Sequence, residues 1–181
     1  MNIFGRIKYF QLACLSKPPG ERLLYRAARR RDIRTIVEIG VGDLHRAQNL
    51  IELSARVTGN AAEISYTGID LYDARPAEQH PLSLKSAFQI LNATGARIKL
   101  VPGDPGQSLI RTANTLLGTD LLLISSELEQ SPLAWYYIPR LLHSDSAVMQ
   151  QADGHSDTTY RAVTVEQIEC IANAYDRRQA A

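Results

Sequence analysis

The sequence predicts a doubly wound α/β fold, with five parallel strands and a sixth beside them, and helices on both faces. Three observations carry that reading. Short apolar runs recur at residues 35–39, 64–70, 98–101, 120–124 and 147–149, each the length of a buried strand. Between them lie segments whose apolar residues fall at helical spacing. The first run, Thr35-Ile36-Val37-Glu38-Ile39, ends in Gly40-Val41-Gly42-Asp43 and passes at once into a helical pattern.

In chain order, Ile3, Ile7, Phe10 and Cys14 share helical spacing and predict a short amphipathic helix that ends at Pro18-Pro19-Gly20. A second helix over residues 21–31 places Leu23, Leu24, Ala27 and Ala28 on one side. After the first strand, residues 44–57 are helical, with Leu44, Ala47, Leu50, Ile51 and Leu53 inward. Strand two is 64–70. The helix 82–94 turns Leu84, Ala87, Phe88 and Leu91 inward, and strand three is 98–101. A helix over 107–117 leads to strand four at 120–124, and Pro139 should kink or end the helix of 132–142. Strand five is centred on 147–149, and the tail holds one more strand, 158–163. A last helix opens with Thr164 capping and Gln167 reaching back, its inner face Val165, Ile168, Ile171, Ala172 and Tyr175. Such alternation implies a Rossmann-like sheet whose right-handed crossovers gather the strand-to-helix loops on one edge, where ligands bind.

The 181 residues are 45% hydrophobic and 22% charged, in keeping with an ordinary globular domain. No apolar run approaches the ~20 residues of a membrane span, and residues 1–15 lack the pattern of a secretory signal. Cys14 and Cys170 have no metal spacing and predict reduced thiols in a cytoplasmic protein. Charge is uneven. Residues 1–34 hold nine Lys/Arg against two acids, a net of +7, while the remainder holds eleven against seventeen, a net of −6. This basic helical segment, followed by a single domain over 35–181, reads either as an arm for nucleic acid or an anionic membrane surface, or as a solvated helix face near an acidic body. The lack of an aromatic-interleaved basic repeat favours the solvated face.

The predicted ligand edge collects a coherent set. Glu38, Gly40 and Gly42 follow strand one, Asp70 follows strand two, Asp104 follows strand three, and Ser125, Ser126 and Glu127 follow strand four. Glycine lets a ligand approach backbone where no Cβ intervenes. A carboxylate after strand two can accept hydrogen bonds from both hydroxyls of a ribose, and one after strand three from an adenine amino group. Each residue also has a plainer reading: the glycines as a tight turn, Gly103-Asp104-Pro105-Gly106 as turn chemistry, and Trp135-Tyr136-Tyr137 as helix packing.

With these motifs in order, residues 21–151 resemble the class I S-adenosylmethionine-dependent methyltransferases. The family's acid-x-Gly-x-Gly motif is matched by Glu38-Ile39-Gly40-Val41-Gly42, its ribose acid by Asp70 in Gly68-Ile69-Asp70-Leu71, and its adenine acid by Asp104 in Val101-Pro102-Gly103-Asp104. The resemblance implies S-adenosylmethionine as cofactor, S-adenosylhomocysteine as product, and a cofactor site of Glu38, Gly40, Gly42, Asp43, Asp70, Leu71, Gly103, Asp104 and Ser125, with Leu71 against the adenine. The methyl acceptor is then expected to be a small molecule or an exposed macromolecular group, a small molecule being favoured over nucleic acid.

The departures mark a degenerate and C-terminally shortened member. Leu44 stands where many members carry a third glycine. Ser125-Ser126-Glu127-Leu128-Glu129 replaces the aspartates of the metal-dependent enzymes, so no metal is expected. The Asn-Pro-Pro-aromatic motif is absent, and about thirty residues follow strand five. The N-terminal helix or a second subunit of a homodimer could close the substrate side, and the sequence does not choose between them. Methyl transfer mainly requires alignment of the nucleophile with an already activated methyl, so the sequence names no catalytic base; His45 is a weak candidate beside the glycine loop. His80, His143 and His155 read as surface residues. Two readings compete: a non-catalytic module of the same fold, and a nicotinamide-dinucleotide oxidoreductase, which His45 at the third glycine position of Gly-x-Gly-x-x-Gly disfavours. No Gly-x-Ser-x-Gly elbow or phosphate-binding Gly-Lys-Ser/Thr is present.

Overall fold

The computed structural model describes residues 3–17, 19–30, 32–42, 44–126, 128, 132–152 and 159–179, with the backbone alone at 3–6, 30, 132–133 and 175–179. Six strands form one sheet: β1 Thr35–Ile39, β2 Ser65–Asp70, β3 Arg97–Pro102, β4 Leu121–Ile124, β5 Ala147–Ala152 and β6 Thr159–Val163, in the order β3-β2-β1-β4-β5-β6. The first five are parallel, and β6 pairs antiparallel with β5. The helices are α1 Ile3–Phe10, α2 Arg22–Arg30, α3 Leu44–Thr58, α4 Leu84–Asn92, α5 Pro105–Thr112, α6 Pro132–Leu141 and α7 Val165–Gln179. The doubly wound sheet predicted from the alternation of runs is present.

Alternation along the strands divides the core into two layers. Ile36, Tyr66, Leu121, Leu123 and Met149 pack with Leu24, Tyr25, Leu50 and Ile51 of α2 and α3. Val37, Ile39, Leu122, Ile124 and Val148 pack on the other face with Leu109, Trp135, Ile138 and Ile168 of α5, α6 and α7. Glu38 has the parity of Ile36, so its side chain enters the α2/α3 layer. The predicted box at the start of α7 is formed: Gln167 N donates to Thr164 Oγ1 at 3.3 Å, and Thr164 N donates to Gln167 Oε1 at 2.9 Å.

Several predicted faces differ. Phe88 is exposed, whereas Ala87 and Leu91 of α4 are buried and Leu84 packs beside Ala87. Leu23 of α2 is likewise exposed. Pro139 lies inside α6 rather than ending it; the helix runs two residues further, to Leu141. At the N-terminus the structure sets which way the predicted amphipathic helix faces. α1 continues into a π-helical turn, Gln11–Leu15, which turns Tyr9, Leu12 and Ala13 toward the body. Ile7 and Phe10, two of the apolar residues at helical spacing, are each 59% exposed. Tyr175 and His155 fall where no side chain is described.

Candidate cofactor site

A cleft of about 240 Å³ opens at the carboxyl edge of the sheet, lined by Gly40, Val41, Gly42, Asp70, Arg75, Gln79, His80, Ser125, Ser126 and Gln151. These residues come from the ends of β1, β2, β4 and β5, and the cleft straddles β1 and β4. There the chain leaves one half of the sheet for the other, the switch point where doubly wound folds bind ligands. Parallel pairing creates this convergence, since it brings Ile39, Ile69 and Ile124 level with one another.

Of the residues predicted from sequence, the cleft brings together Gly40, Gly42, Asp70 and Ser125, with Ser126 of the same loop. Gly40 has φ +78°, and a Cβ there would overlap the Ser125 side chain. Its missing Cβ thus lets the β1 and β4 loops close on each other. A Cβ on Gly42 would sit 2.8 Å from Arg46 Nη2. At both glycines the freed space is filled by a side chain of this protein. Asp43, Glu127 and Glu129 lie outside the described residues.

Glu38 does not line the cleft. It is 1% exposed, ion-paired with Arg46 of α3, and accepts a 2.7 Å hydrogen bond from the Tyr66 hydroxyl. Burial alone would lower the Arg46 guanidinium; the Glu38 carboxylate more than offsets it and holds its pKa above the usual value. Burial and the same carboxylate push the Tyr66 hydroxyl well up, so it stays a donor. Gly42 N approaches Glu38 Oε1 at 3.5 Å, so the acid supports the glycine turn from beneath. Asp104 caps α5, its Oδ1 accepting from Gln107 N at 3.0 Å. Gly103 (φ +124°) donates its N–H to Asp70 O at 2.9 Å, tying the ends of β2 and β3 together. Leu71 follows Asp70 and is partly exposed. His45 lines a separate hollow with Gln11, Tyr25, Arg46 and Asn49.

The feature that the sequence reading lacks is Arg75. Its Nε donates to Asp70 Oδ1 at 2.7 Å and its Nη2 to Asp70 Oδ2 at 2.8 Å, a bidentate pair. Nη2 also bonds Val41 O, and Nη1 donates to His80 O at 2.9 Å. Asp70 Oδ1 accepts in addition from Tyr72 N at 2.9 Å. Tyr72 holds a left-handed backbone, φ +50°, the one such non-glycine among the described residues. Its hydroxyl donates to Gly68 O at 2.9 Å. Arg75 left no trace in the sequence because its distance from Asp70 depends on how the loop between β2 and α4 folds.

Solved structures with this architecture include an O-methyltransferase from Bacillus cereus in complex with SAH, at 13% identity and TM-score 0.55, covering 100% of this chain and 81% of that one. The O-methyltransferase TomG from Streptomyces achromogenes, in complex with SAM, shares 15% identity over 96% of this chain and 78% of its own, at TM-score 0.52. A methyltransferase from Geobacter sulfurreducens shares 19% identity over 82% of this chain and 70% of its own, also at 0.52. Their likeness to this chain lies in the α/β fold. No family model and no curated protein matches the sequence. In this fold, the glycine turn after β1 and the acid at the end of β2 stand at the switch-point cleft.

Proposed function

We propose that this protein binds S-adenosylmethionine in the switch-point cleft and transfers its methyl group to a small-molecule acceptor. The observation that carries the reading is the convergence of Gly40, Gly42, Asp70, Ser125 and Ser126 on one cleft in a methyltransferase fold. Two of the solved structures with this fold hold SAM or SAH. The chemistry of the donor set fits: Asp70 would accept from the ribose hydroxyls, Ser125 and the turn at Gly40–Gly42 would flank the ligand, and Leu71 and Asp104 would serve the adenine end. The cofactor supplies a methyl carbon already activated on a sulfonium. The chain's own task is then to hold and orient it and to exclude water.

The cleft of about 240 Å³ lies below the ~300 Å³ at which small-molecule sites usually begin. Arg75 accounts for the closure, because it occupies both oxygens of Asp70 and bridges to Val41. A ribose whose two hydroxyls engage both oxygens of Asp70 requires Arg75 to swing away, since Oδ1 already accepts from Arg75 and Tyr72 N. The same clasp favours a second reading, a non-catalytic module in which Asp70 and Arg75 serve only to close the loop.

Calorimetric titration of the whole chain with S-adenosylhomocysteine, with NADH as control, separates these. Binding is expected at one site per chain and is lost in Asp70→Ala. Arg75→Ala tightens it roughly tenfold by removing a competing closed state. A folded protein in which neither the wild type nor Arg75→Ala binds sinks the cofactor reading and leaves the module. A preference for NADH points instead to dinucleotide chemistry.

A further inference from the structure

We propose that the N-terminal helix pair is a docking surface for an anionic phospholipid membrane. The helical run formed by α1 and the π turn has two faces. Tyr9, Leu12 and Ala13 pack toward the core, while Ile7, Phe10 and Leu15 point outward at 59%, 59% and 62% exposure. Three large apolar side chains at these spacings on the outer face form an apolar stripe in water.

A cationic stripe runs beside it. Arg22, Arg26 and Arg29 recur at the i, i+4, i+7 positions of α2, which share one helix face. Each rests on the first helical run, in reverse order. Arg22 Nε donates to Ser16 O at 3.2 Å, Arg26 Nε to Ala13 O at 3.2 Å, and the Arg29 guanidinium lies 4.0 Å over the Tyr9 ring. Carbonyls and a ring orient these arginines without neutralising their charge. Of the acids nearby, Glu21 is buried toward Arg46 and Glu52 is taken by Lys8 and Arg56, while Glu166 and Glu169 of α7 line a hollow with Arg26 without an ion pair to it among the described residues. Lys17 is exposed at the end of the run.

An apolar stripe flanked by cations is what an interfacial helix requires: side chains that enter the acyl boundary and charges that meet anionic headgroups. A nucleic acid would use the arginines but leave Ile7 and Leu15 in water. A second copy docked by two-fold symmetry would set the patch against itself, bringing together two segments that each carry a net +7.

Co-sedimentation of the full chain with vesicles tests this. Binding is expected to phosphatidylserine–phosphatidylcholine vesicles and not to phosphatidylcholine alone, and it weakens as salt rises. Phe10→Ser and Leu15→Ser change exposed positions; each is expected to weaken binding about tenfold while near-ultraviolet circular dichroism stays unchanged. Arg26→Gln lowers binding to anionic vesicles and reduces its salt dependence. Absence of sedimentation, or sedimentation indifferent to Phe10→Ser, overturns the proposal. So does a stable dimer that Phe10→Ser dissolves, or salt-sensitive binding to a single-stranded oligonucleotide without binding to vesicles.

Discussion

Gly40 does its work through the side chain it lacks. The position combines a left-handed backbone with the Ser125 side chain pressed against the missing Cβ. Either condition alone disfavours a substitution; together they make the β1 turn intolerant. Gly40→Ala is expected to cost about 2–4 kcal/mol, from left-handed strain and overlap with Ser125, seen as a lower urea midpoint with unchanged slope. Ser125→Gly made in the same chain should recover the overlap part and leave the strain. A Gly40→Ala protein as stable as the wild type would mean that the β1 and β4 loops can separate freely. Gly42 differs, because its neighbour is the end of an arginine side chain.

At the scale of elements, Asp120 locks the sheet at the edge opposite the cleft. It precedes β4, and its Oδ2 accepts from Arg34 N, Thr35 N and Thr35 Oγ1, each at 2.8 Å. Its Oδ1 meets His143 Nε2 at 3.2 Å, beyond the end of α6. One carboxylate thus joins the start of β1, the start of β4 and the connection into β5. Burial alone would raise its pKa, but the backbone N–H groups of Arg34 and Thr35 outweigh it and hold the carboxyl below its usual 3.8. A depressed folded-state pKa stabilises the fold above the unfolded value, and that contribution is lost as the pH falls through the folded value. Stability measured by urea unfolding should therefore drop as the pH is lowered past 3.8, and Asp120→Asn should lower the midpoint at neutral pH and flatten this dependence. An acid limb of the same size in the variant would assign the loss to other carboxylates.

Across the whole molecule, one buried charge network connects segments distant in sequence. Arg46 of α3 pairs with Glu38 of β1, lies 4.0 Å from Glu21 before α2, and stands 5.4 Å from the centre of the Tyr160 ring of β6. Tyr25 and Tyr66 complete it by donating to Glu21 and Glu38, each at 2.7 Å. The network touches the glycine turn at Gly42, so segments as distant in sequence as Glu21 and Tyr160 support that turn. Arg46→Ala leaves Glu38 charged and unpaired in the core, and about 3–5 kcal/mol of stability should be lost. Replacing the pair together, Glu38→Gln with Arg46→Met, should cost much less. Thermal unfolding of the two variants decides the matter; equal losses would show that packing, rather than the buried charge, sets the cost.

What the sequence by itself determined was the alternation of elements. The apolar runs and helical spacings mark the five parallel strands in order, and the capping pair Thr164–Gln167 marks the start of α7. Local patterning suffices there, because the central strands β1 and β4 are buried and almost wholly apolar, and the helical spacings between runs bracket the more polar β2 and the edge strand β3. The positions of Gly40, Gly42, Asp70 and Ser125 at one cleft were equally legible, since parallel pairing with right-handed crossovers puts every strand end on one edge. Tertiary structure alone decided which partner each charged group found. Glu38 faces Arg46 through strand parity and the docking of α3, Asp70 is clasped by Arg75 through a loop conformation, and Asp104 spends its Oδ1 on a helix cap. It also decided the direction of α1, whose apolar residues at helical spacing predicted only an amphipathic helix. Periodicity specifies that a stripe exists but not which way it points: the π turn and the arginines of α2 turned Tyr9 and Leu12 inward and left Ile7 and Phe10 in water.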